Sequence, residues 1–507
     1  MRHSLLSFAA ALALAAASPA HADWFKASSK HFVIYGDGTP DELREFATKV
    51  ERFDQAVRNA RAMEDPPLTD SNRLTIYLLK NVGELARLEG RGDILGIYTA
   101  RASGSLAFVA RNKAEWKGDM DSDVVFFHEY SHHLLLQNST AVLPSWLIEG
   151  FAEFLSTAKM NPDGTVTLGG ALNFRSQGVL SNHHELPLTM MLRDTFGDLT
   201  LWQEELLYAR GWLLTHYLTF EPSRRGQLDK YVAGIQQGQK PIDSAWAAFG
   251  DLKRLDWDLD SYANRKNLSG VVINIDQAKL GSIAVRPLTT AEAAIMPVRI
   301  RSEYGVGSRT APGVAEQARK LAAPFANDPF VQSALAEAEY DASNYAAADA
   351  AADRALAADP RNLHALIYKG RAQMKLAKAK GTGADWNEVR SWFLKANKVD
   401  TEDAEPLALF YRTFKEAGQT PSKNASGALL YAVTLAPQDD YLRLMAVRQL
   451  LVESRTQEAR TMLAPLAYQP HATGEFRSKM TKVMDAISAS DAKTALSLID
   501  ADEDKKD

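Results

Sequence analysis

The segment His128-Glu129-Tyr130-Ser131-His132 carries two histidines and a glutamate at a spacing that suits metal chemistry. Side chains four residues apart lie on one face of an α-helix, so the imidazoles of His128 and His132 can bind a single metal ion. The carboxylate of Glu129 then lies beside a water molecule at the metal, where it can accept a proton. The spacing therefore predicts a zinc site with Glu129 as the general base.

The residues around this motif predict a buried helix. Asp123 is placed to cap the helix. Apolar residues flank the motif on both sides: Val124, Val125, Phe126, Phe127, Leu134, Leu135 and Leu136. Polar side chains that are buried in such a run lose water and need partners. A metal ion shared by the two imidazoles would meet that need.

A second predicted helix, which begins near Pro144, supplies the remaining ligand. Its Glu149 and Glu153 lie four residues apart on one face. A catalytic zinc takes three protein ligands and leaves the fourth position open, so we predict that Glu149 completes the set with His128 and His132. Glu153, one turn further on, is predicted to accept the free ring N–H of a ligand histidine. A purely solvated helix face would not carry so many apolar neighbours: Trp146, Leu147, Ile148, Phe151, Phe154 and Leu155.

The segment 146–152 reads Trp-Leu-Ile-Glu-Gly-Phe-Ala and is similar to the Trp-Leu-x-Glu-Gly-Phe-Ala element of the zinc aminopeptidases. With the HExxH motif, it resembles the gluzincins, zinc peptidases with a downstream glutamate as third ligand. The resemblance implies that Glu149, rather than Glu153, is the ligand, that Zn²⁺ is the cofactor, and that the fold is zincin-like α+β. Sixteen residues separate His132 from Glu149. This is slightly fewer than in those aminopeptidases, so the resemblance is to the clan and not to that family's specificity.

The gluzincin resemblance also implies roles for two further segments. An α-helical lobe follows the zinc site in that clan and donates to the developing oxyanion, and Tyr208 is our candidate for this role. The alternative is an aromatic residue packed in a helical core. An edge strand over the cleft pairs with extended peptides, and residues 104–110 are the candidate substrate clamp. His133 is predicted to point off the metal face, and residues 183–185 (His-His-Glu) to form a solvated turn rather than a second metal site.

Residues 23–265 are predicted to form one α+β peptidase domain. Strands are expected at 31–35, 74–79 and 106–110, and helices at about 40–57, 205–220, 225–236 and 244–262. Short β-like runs at 271–275, 283–285 and 298–300 predict a bridging segment over residues 266–312.

An alanine-rich helical pattern fills residues 313–485. Several residues match the packing positions of a tetratricopeptide repeat: Leu335, Ala336, Tyr345, Ala348, Ala355, Leu356 and Pro360. Each helix pair leaves an apolar face that only a neighbour can cover, so three or four repeats would stack into a solenoid. The solenoid could cap the peptidase or bind substrate or a protein partner in its concavity. An acidic C-terminal tail is assigned to residues 486–507, and its end, residues 500–507, is predicted to be solvated.

The N-terminus predicts export. A basic start at residues 1–3, an apolar stretch at 5–17 and the small residues Ala20 and Ala22 are typical of a signal peptide over residues 1–22. No later segment approaches about 20 apolar residues, so no membrane span is expected. The chain has no cysteine and a net charge of -5 without a basic stripe, which argues against disulfides and against nucleic-acid binding.

The combined pattern predicts a secreted, periplasmic zinc peptidase that hydrolyses peptide bonds in a peptide or protein substrate, with Glu129 as general base. The layout resembles secreted bacterial peptidase-MA-like domains fused to tetratricopeptide repeats. The alternative is a non-enzymatic periplasmic interaction scaffold, in which the repeats bind a partner and the zincin domain is only a platform. The presence of all four zinc-site residues favours the enzyme.

Overall fold

The computed structural model describes residues 24–90, 94–111, 121–138, 143–171, 183–193, 199–265, 267–467 and 474–501. The predicted signal peptide, 1–22, lies outside these ranges. The described chain begins with an α+β part and continues as a series of helices.

The described strands are β1 (Trp24–Ser28), β2 (Phe32–Asp37), β3 (Leu74–Leu79), β4 (Gly96–Thr99), β5 (Leu106–Ala110), β6 (Lys159–Met160), β7 (Val166–Leu168), β8 (Val271–Ile273) and β9 (Ala284–Pro287). Six of them form a mixed sheet in the order β4-β5-β3-β2-β1-β9, and the other three form a small sheet in the order β6-β7-β8. The predicted strands at 31–35, 74–79 and 106–110 are confirmed as β2, β3 and β5. β1 and β4 were not predicted.

The helices of the α+β part are α1 (Pro40–Arg61), α2 (Val82–Glu89), α3 (Ser122–Asn138), α4 (Ser145–Ser156), α5 (Leu188–Met191), α6 (Leu201–Phe220), α7 (Gln227–Gln236), α8 (Pro241–Phe249) and α9 (Leu252–Ala263). The single helix predicted over 244–262 is wrong. It is divided into α8 and α9 at Gly250, whose φ of +80° is one that glycine adopts without strain.

The helices of the second part are α10 (Thr290–Tyr304), α11 (Ala311–Ala322), α12 (Pro329–Asp341), α13 (Tyr345–Ala358), α14 (Leu363–Lys380), α15 (Trp386–Val399), α16 (Ala404–Glu416), α17 (Lys423–Leu435), α18 (Asp440–Val452), α19 (Thr456–Ala467), α20 (Gly474–Ser488) and α21 (Ala492–Asp500). Successive helices pack against each other, and their short connections make them antiparallel pairs. The prediction of helical repeats is confirmed. The series is longer than expected, with six pairs over 290–500 in the part that the structure describes.

Packing inside the repeats follows the predicted small and large positions. Four of the predicted positions are buried: Leu335, Ala336, Ala348 and Ala355. Between α14 and α15, a Cβ added at Gly370 would lie 2.5 Å from the ring of Phe393, so this close crossing requires glycine. Residues 492–500, which the sequence pattern placed in the acidic tail, form a helix of the last pair, in which Ala495 and Ile499 are buried.

Residues 267–312 contribute to both parts, whereas their pattern predicted a bridging segment over 266–312. β8 pairs with β7 and β9 pairs with β1, so the strands complete the two sheets. The β-like run predicted at 298–300 is wrong, since these residues lie inside α10. That helix begins with a capping box formed by Thr289 and Glu292, a local signal that outweighs the β-branched residues.

The central strands β2, β3 and β5 of the six-stranded sheet are buried on both faces, in keeping with their continuous apolar residues. One face packs on α1, whose apolar residues share a core with Ile34 and Ile76. The other face packs on α10 of the repeats, where Met296 and Ile300 contact a cluster that includes Tyr77. The repeats therefore contribute directly to the core of the sheet.

A buried ionic network fastens the sheet to α1. Glu51 accepts the backbone N–H of His31 (2.8 Å) and lies 2.7 Å from its Nδ1, and Asp65 lies 2.9 Å from its Nε2. Asp54 accepts two hydrogen bonds from Arg58 at 2.9 and 2.8 Å. Burial would lower the pKa of His31, but the hydrogen bond to Glu51 and the charges of Asp54 and Glu51 outweigh it and raise that pKa.

We predict that His31 makes stability depend on pH. Its folded-state pKa is above its unfolded value, so its contribution is fully present below about pH 6.5 and is lost as the pH rises through the folded-state value. His31→Gln should therefore destabilise the protein most at about pH 6, by about 3–5 kcal/mol as for one partner of a buried ion pair. Thermal unfolding of both proteins across this range measures the difference. If the stability difference between the wild type and His31→Gln increased with rising pH, the raised pKa of His31 would be contradicted.

Candidate metal centre

Helices α3 and α4 bring three donor atoms to one point. The Nε2 atoms of His128 and His132 lie 3.1 Å apart, and Oε2 of Glu149 lies 3.3 Å from the first and 3.5 Å from the second. Ligands held at about 2.0–2.1 Å by tetrahedral zinc are about 3.3 Å from one another. The spacing and chemistry of this donor set therefore fit a zinc ion.

The start of α3 differs from the sequence prediction. The side chain of Asp121, not of Asp123, caps this end, since it accepts the backbone N–H of Asp123 at 3.1 Å. Asp123 lies inside the first turn, where negative charge is favourable, and its carboxylate lies 2.5 Å from Nζ of Lys49. The predicted cap was thus wrong by two residues, which left the position of the histidines on the helix unchanged.

Negative charge surrounds the histidines. Glu149 and Glu153 are buried, with exposed fractions of 0% and 2%. Burial alone would lower the pKa of His128, but the hydrogen bond to Glu149 and the charges of Glu153 and Glu129 raise it to about 9. The surroundings of His128 thus favour a positive charge, which a proton or a metal ion can supply.

The two glutamates of α4 face different atoms of the same imidazole. Glu149 faces Nε2 of His128, whereas Oε1 of Glu153 lies 3.7 Å from Nδ1. A metal ion at Nε2 leaves Nδ1 to carry the proton, and a carboxylate near that N–H fixes the orientation of the ring. This arrangement suits the predicted roles of Glu149 as a ligand and Glu153 as an orienting carboxylate.

Glu129 follows His128 directly in α3 and lies against the edge of the sheet. It is half-buried and lines a narrow crevice with Gly96, Ile97 and Tyr98 of β4. Among the described strands β4 lies at the edge, so the prediction that residues 104–110 form the clamp is wrong: β5 lies inside the sheet between β3 and β4. The short, half-buried β4 gave no clear strand pattern in the sequence, and it approaches α3 closely because Gly96 has no side chain.

Helix α6 places one of its aromatic residues, Tyr208, next to the candidate metal centre. The ring of Tyr208 is half-buried and lies 6.0 Å from the ring of His128, centroid to centroid. His216, two turns later, is fully buried elsewhere, with Nδ1 2.8 Å from the hydroxyl of Tyr262 and Nε2 2.8 Å from the carbonyl of Ser269. The structure therefore places Tyr208 next to the predicted site and His216 away from it.

His133 has a partner that the sequence did not predict. It is buried, its Nδ1 lies 2.7 Å from the hydroxyl of Tyr98, and its ring stacks on Tyr130 at 5.4 Å. Burial lowers the pKa of His133 to about 3, so the imidazole is neutral. The side chain connects α3 to the edge strand. By contrast, His184 and Glu185 are exposed in a short 3₁₀ turn, in agreement with the predicted turn.

A second cluster in the described ranges has metal-ligand residue types, namely His31, Glu51 and Asp54. Its oxygens already face donors: Arg58, the His31 ring and the hydroxyl of Tyr130, which lies 2.7 Å from Asp54. A permanent cation inside the cluster balances the carboxylates, so it is a structural ionic network.

Close packing of α4 on α6 brings Glu149 and Tyr208 to the same place. A Cβ added at Gly150 would lie 2.4 Å from the backbone oxygen of Gly211, and one at Gly211 would lie 2.7 Å from the oxygen of Trp146. A Cβ atom does not come this close to another non-bonded heavy atom unless the structure shifts, so both positions need glycine. Gly150 of the Trp-Leu-Ile-Glu-Gly-Phe-Ala segment thus has a packing role.

No protein-family model matches the chain, and no curated protein matches it. Among solved structures, TTC0263, a TPR protein of Thermus thermophilus, is 16% identical over 38% of this chain and 98% of its own, with a TM-score of 0.32. The pilF protein of Pseudomonas aeruginosa is 16% identical over 41% and 90%, with a TM-score of 0.33. Yeast Tom70 is 14% identical over 76% and 89%, with a TM-score of 0.25. These TM-scores are too low to carry an argument.

No helix in the described ranges is long and apolar enough to cross a membrane.

We predict that Gly150→Ala destabilises the protein and disturbs the centre. The added methyl group must push α4 away from α6, a cost of about 1–3 kcal/mol for an overpacked core. The control is Gly427→Ala in α17, where nothing lies within 4 Å and alanine should stabilise the helix by about 0.5–1 kcal/mol. Unfolding curves of the two variants should shift in opposite directions, and equal shifts would refute the packing argument.

We further predict different metal affinities for the two glutamate variants. Glu149→Ala and His128→Ala each remove a donor atom and should abolish stoichiometric zinc binding. Glu153→Ala removes only the orienting carboxylate, so affinity should fall about 10–100-fold. Elemental analysis and competition with a chelator measure both effects. Retention of zinc by Glu149→Ala, together with its loss in Glu153→Ala, would reverse the assignment.

Proposed function

We propose that the chain is a zinc-dependent peptidase with a zincin-like α+β fold, in which His128, His132 and Glu149 hold the metal. The observation that best supports this is the convergence of their donor atoms at 3.1–3.5 Å. The adjacent position of Glu129 adds the proton acceptor that hydrolysis requires.

The side chains around the centre have separable tasks in peptide hydrolysis. When bound, zinc polarises the scissile carbonyl and makes a water molecule more acidic. Glu129 accepts the proton from the attacking water and donates it to the leaving amine. Tyr208, beside His128, donates a hydrogen bond to the oxygen that gains negative charge. Glu153 keeps the ring of His128 in its orientation.

The edge strand supports a peptide as the substrate. Within the described residues, β4 pairs with β5 along one side, through Gly96 to Thr99. The backbone groups of its other side can pair with an extended peptide, as in strand addition at a sheet edge. Since Glu129 lies against β4, a peptide bound there would pass the proton acceptor.

The proposed setting is outside the cytoplasm, in the periplasm. Support comes from the sequence pattern of residues 1–22, with its basic start, apolar stretch and small residues at a cleavage position. The substrate would then be an extracytoplasmic peptide or protein.

The second candidate is a non-enzymatic interaction scaffold. The six helix pairs favour it, because stacked helical repeats expose an extended concave surface that binds other proteins. The two candidates differ in what the metal centre does. A scaffold needs no proton acceptor beside the metal, whereas hydrolysis depends on Glu129.

We predict that Glu129→Gln retains zinc and fold but loses turnover by about 10²–10⁴-fold, the usual contribution of general acid–base catalysis. Glu205→Gln, on the exposed side of α6, makes the same change of charge and should cleave at the wild-type rate. Digestion of a peptide library with zinc-loaded protein measures turnover. Equal rates for Glu129→Gln and the wild type would disprove the mechanism, and a zinc-loaded wild type that cleaves nothing would favour the scaffold.

A further inference from the structure

The loop that follows β4 lies against the repeats. We call residues 100–105 the edge loop. Its Arg101 donates hydrogen bonds to the carbonyl oxygens of Glu303 (2.6 Å) and Tyr304 (3.1 Å) at the end of α10. A cation at the C-terminus of a helix also interacts favourably with the helix dipole. The first helix of the repeats thus binds one side of the edge loop.

A second attachment comes from the connection between α17 and α18. The backbone N–H of Ala102 donates to Oδ2 of Asp439 at 2.6 Å, while Oδ1 of the same carboxylate accepts the N–H of Leu442 at 2.8 Å and caps α18. The side chain of Ala102 packs on a cluster that includes Ala408 and Tyr411 of α16. The carboxylate of Asp439 therefore caps α18 and also forms a hydrogen bond with the edge loop.

A third attachment leads from the repeats to the metal centre. Nε2 of Gln438 donates to Oγ of Ser105 at 3.1 Å, and both residues are buried. The hydroxyl of Tyr98 donates to the same Oγ at 3.1 Å and lies 2.7 Å from Nδ1 of His133. Because a hydroxyl has a single proton, Nδ1 of His133 is the donor in the last pair. Three hydrogen bonds therefore link the repeats to α3 at the residue next to His132.

The edge loop crosses the surface formed by the first helices of successive pairs, α10, α12, α14, α16 and α18, which we call the inner surface. Two cavities of about 480 and 200 Å³ lie along it. Arg101 and Ser103 of the edge loop line both cavities, as do Arg371 of α14 and Glu405 of α16. A segment of the chain itself thus occupies part of the surface that repeat proteins use for binding.

We propose that the inner surface binds the edge loop as an internal ligand, and that Gln438 and Asp439 are positioning residues that hold β4 beside the metal centre. The part of this proposal that concerns catalysis rests on the proposed peptidase function. The attachment of the edge loop does not depend on it.

The hydrogen bonds from the repeats to the edge loop matter because β4 alone has little stability. It has four residues and lies at an edge, and short edge strands open easily. A net hydrogen bond changes such an opening equilibrium about two- to tenfold. The repeats therefore supply a substantial part of the order that β4 needs to bind a substrate in one register.

Two buried glutamines of the repeats provide a matched comparison. Nε2 of Gln438 donates to Ser105 of the edge loop, whereas Nε2 of Gln449 donates to Ser426 at 3.0 Å within the repeats. The two residues are similarly buried, with exposed fractions of 6% and 5%. Gln449 also donates to Glu453 and accepts from the hydroxyl of Tyr411, each at 2.8 Å. Gln449→Ala therefore disturbs the buried hydrogen bonds of the repeats at least as much as Gln438→Ala, but Gln438→Ala alone removes one that reaches the edge loop.

The experiment measures amide hydrogen exchange of residues 96–105 in the full chain. Gln438→Ala should speed exchange there about two- to tenfold, while Gln449→Ala should leave it at the wild-type rate. Ser105→Ala removes the acceptor of the same hydrogen bond and should also speed exchange of residues 96–105. It takes the place of Gln438→Ala if that variant folds poorly. Unchanged exchange in both Gln438→Ala and Ser105→Ala, or equal acceleration in Gln449→Ala, would overturn the proposal.

A kinetic measurement separates this proposal from the peptidase function. With zinc-loaded protein and a short peptide, Gln438→Ala should raise KM more than it lowers kcat, because the bond acts on β4 and not on Glu129. Zinc content should equal that of the wild type. Accelerated exchange in a protein without any peptidase activity would support the attachment and reject the proposed function.

Discussion

Glu149 and Glu153 lie inside a pair of apolar helices, and a buried carboxylate persists only when positive charge or hydrogen-bond donors face it. The chain contains two solutions to this problem. Around His31 the balancing cation is built in as Arg58, so that network is complete. Around His128 the carboxylates face imidazoles, whose charge depends on a proton or a metal ion. The same electrostatic constraint that stabilises one cluster therefore makes the other a site that can accept an ion.

Backbone contact between two helices determines where the ligands lie. Gly150 follows Glu149 directly and contacts Gly211 on α6, so the carboxylate and the helix that carries Tyr208 are positioned by the same contact. A side chain at either glycine would increase the separation of the helices, and Glu149 would then withdraw from the histidines. The geometry of the centre thus depends on close packing as much as on its polar residues.

The sequence revealed the parts of the site that arise from local spacing. The four-residue interval of His128 and His132 requires only a helix, and a helix forms there although Asp121 rather than Asp123 caps it. Strands with continuous apolar residues, such as β3 and β5, were also predictable. The edge strand β4 was not, because it is short and is fixed by distant residues. Contacts such as that of Ala102 with Asp439 join positions far apart in the chain, and a single sequence carries no pattern that pairs them.

The sequence left two roles for the repeats, a structural cap and a binding surface, and the geometry combines them. The inner surface already binds a peptide segment, but that segment is the edge loop of the same chain. A protein partner that binds this surface must use the remaining cavity, lined by residues such as Glu337 and Asp341, or displace the edge loop. Displacement of the edge loop would break the hydrogen bonds of Arg101 and Ala102 with the repeats. The strand β4 would then be less ordered. Because binding at two sites is coupled whenever both bias one element, a partner that displaces the edge loop and a peptide on β4 must influence each other's affinity.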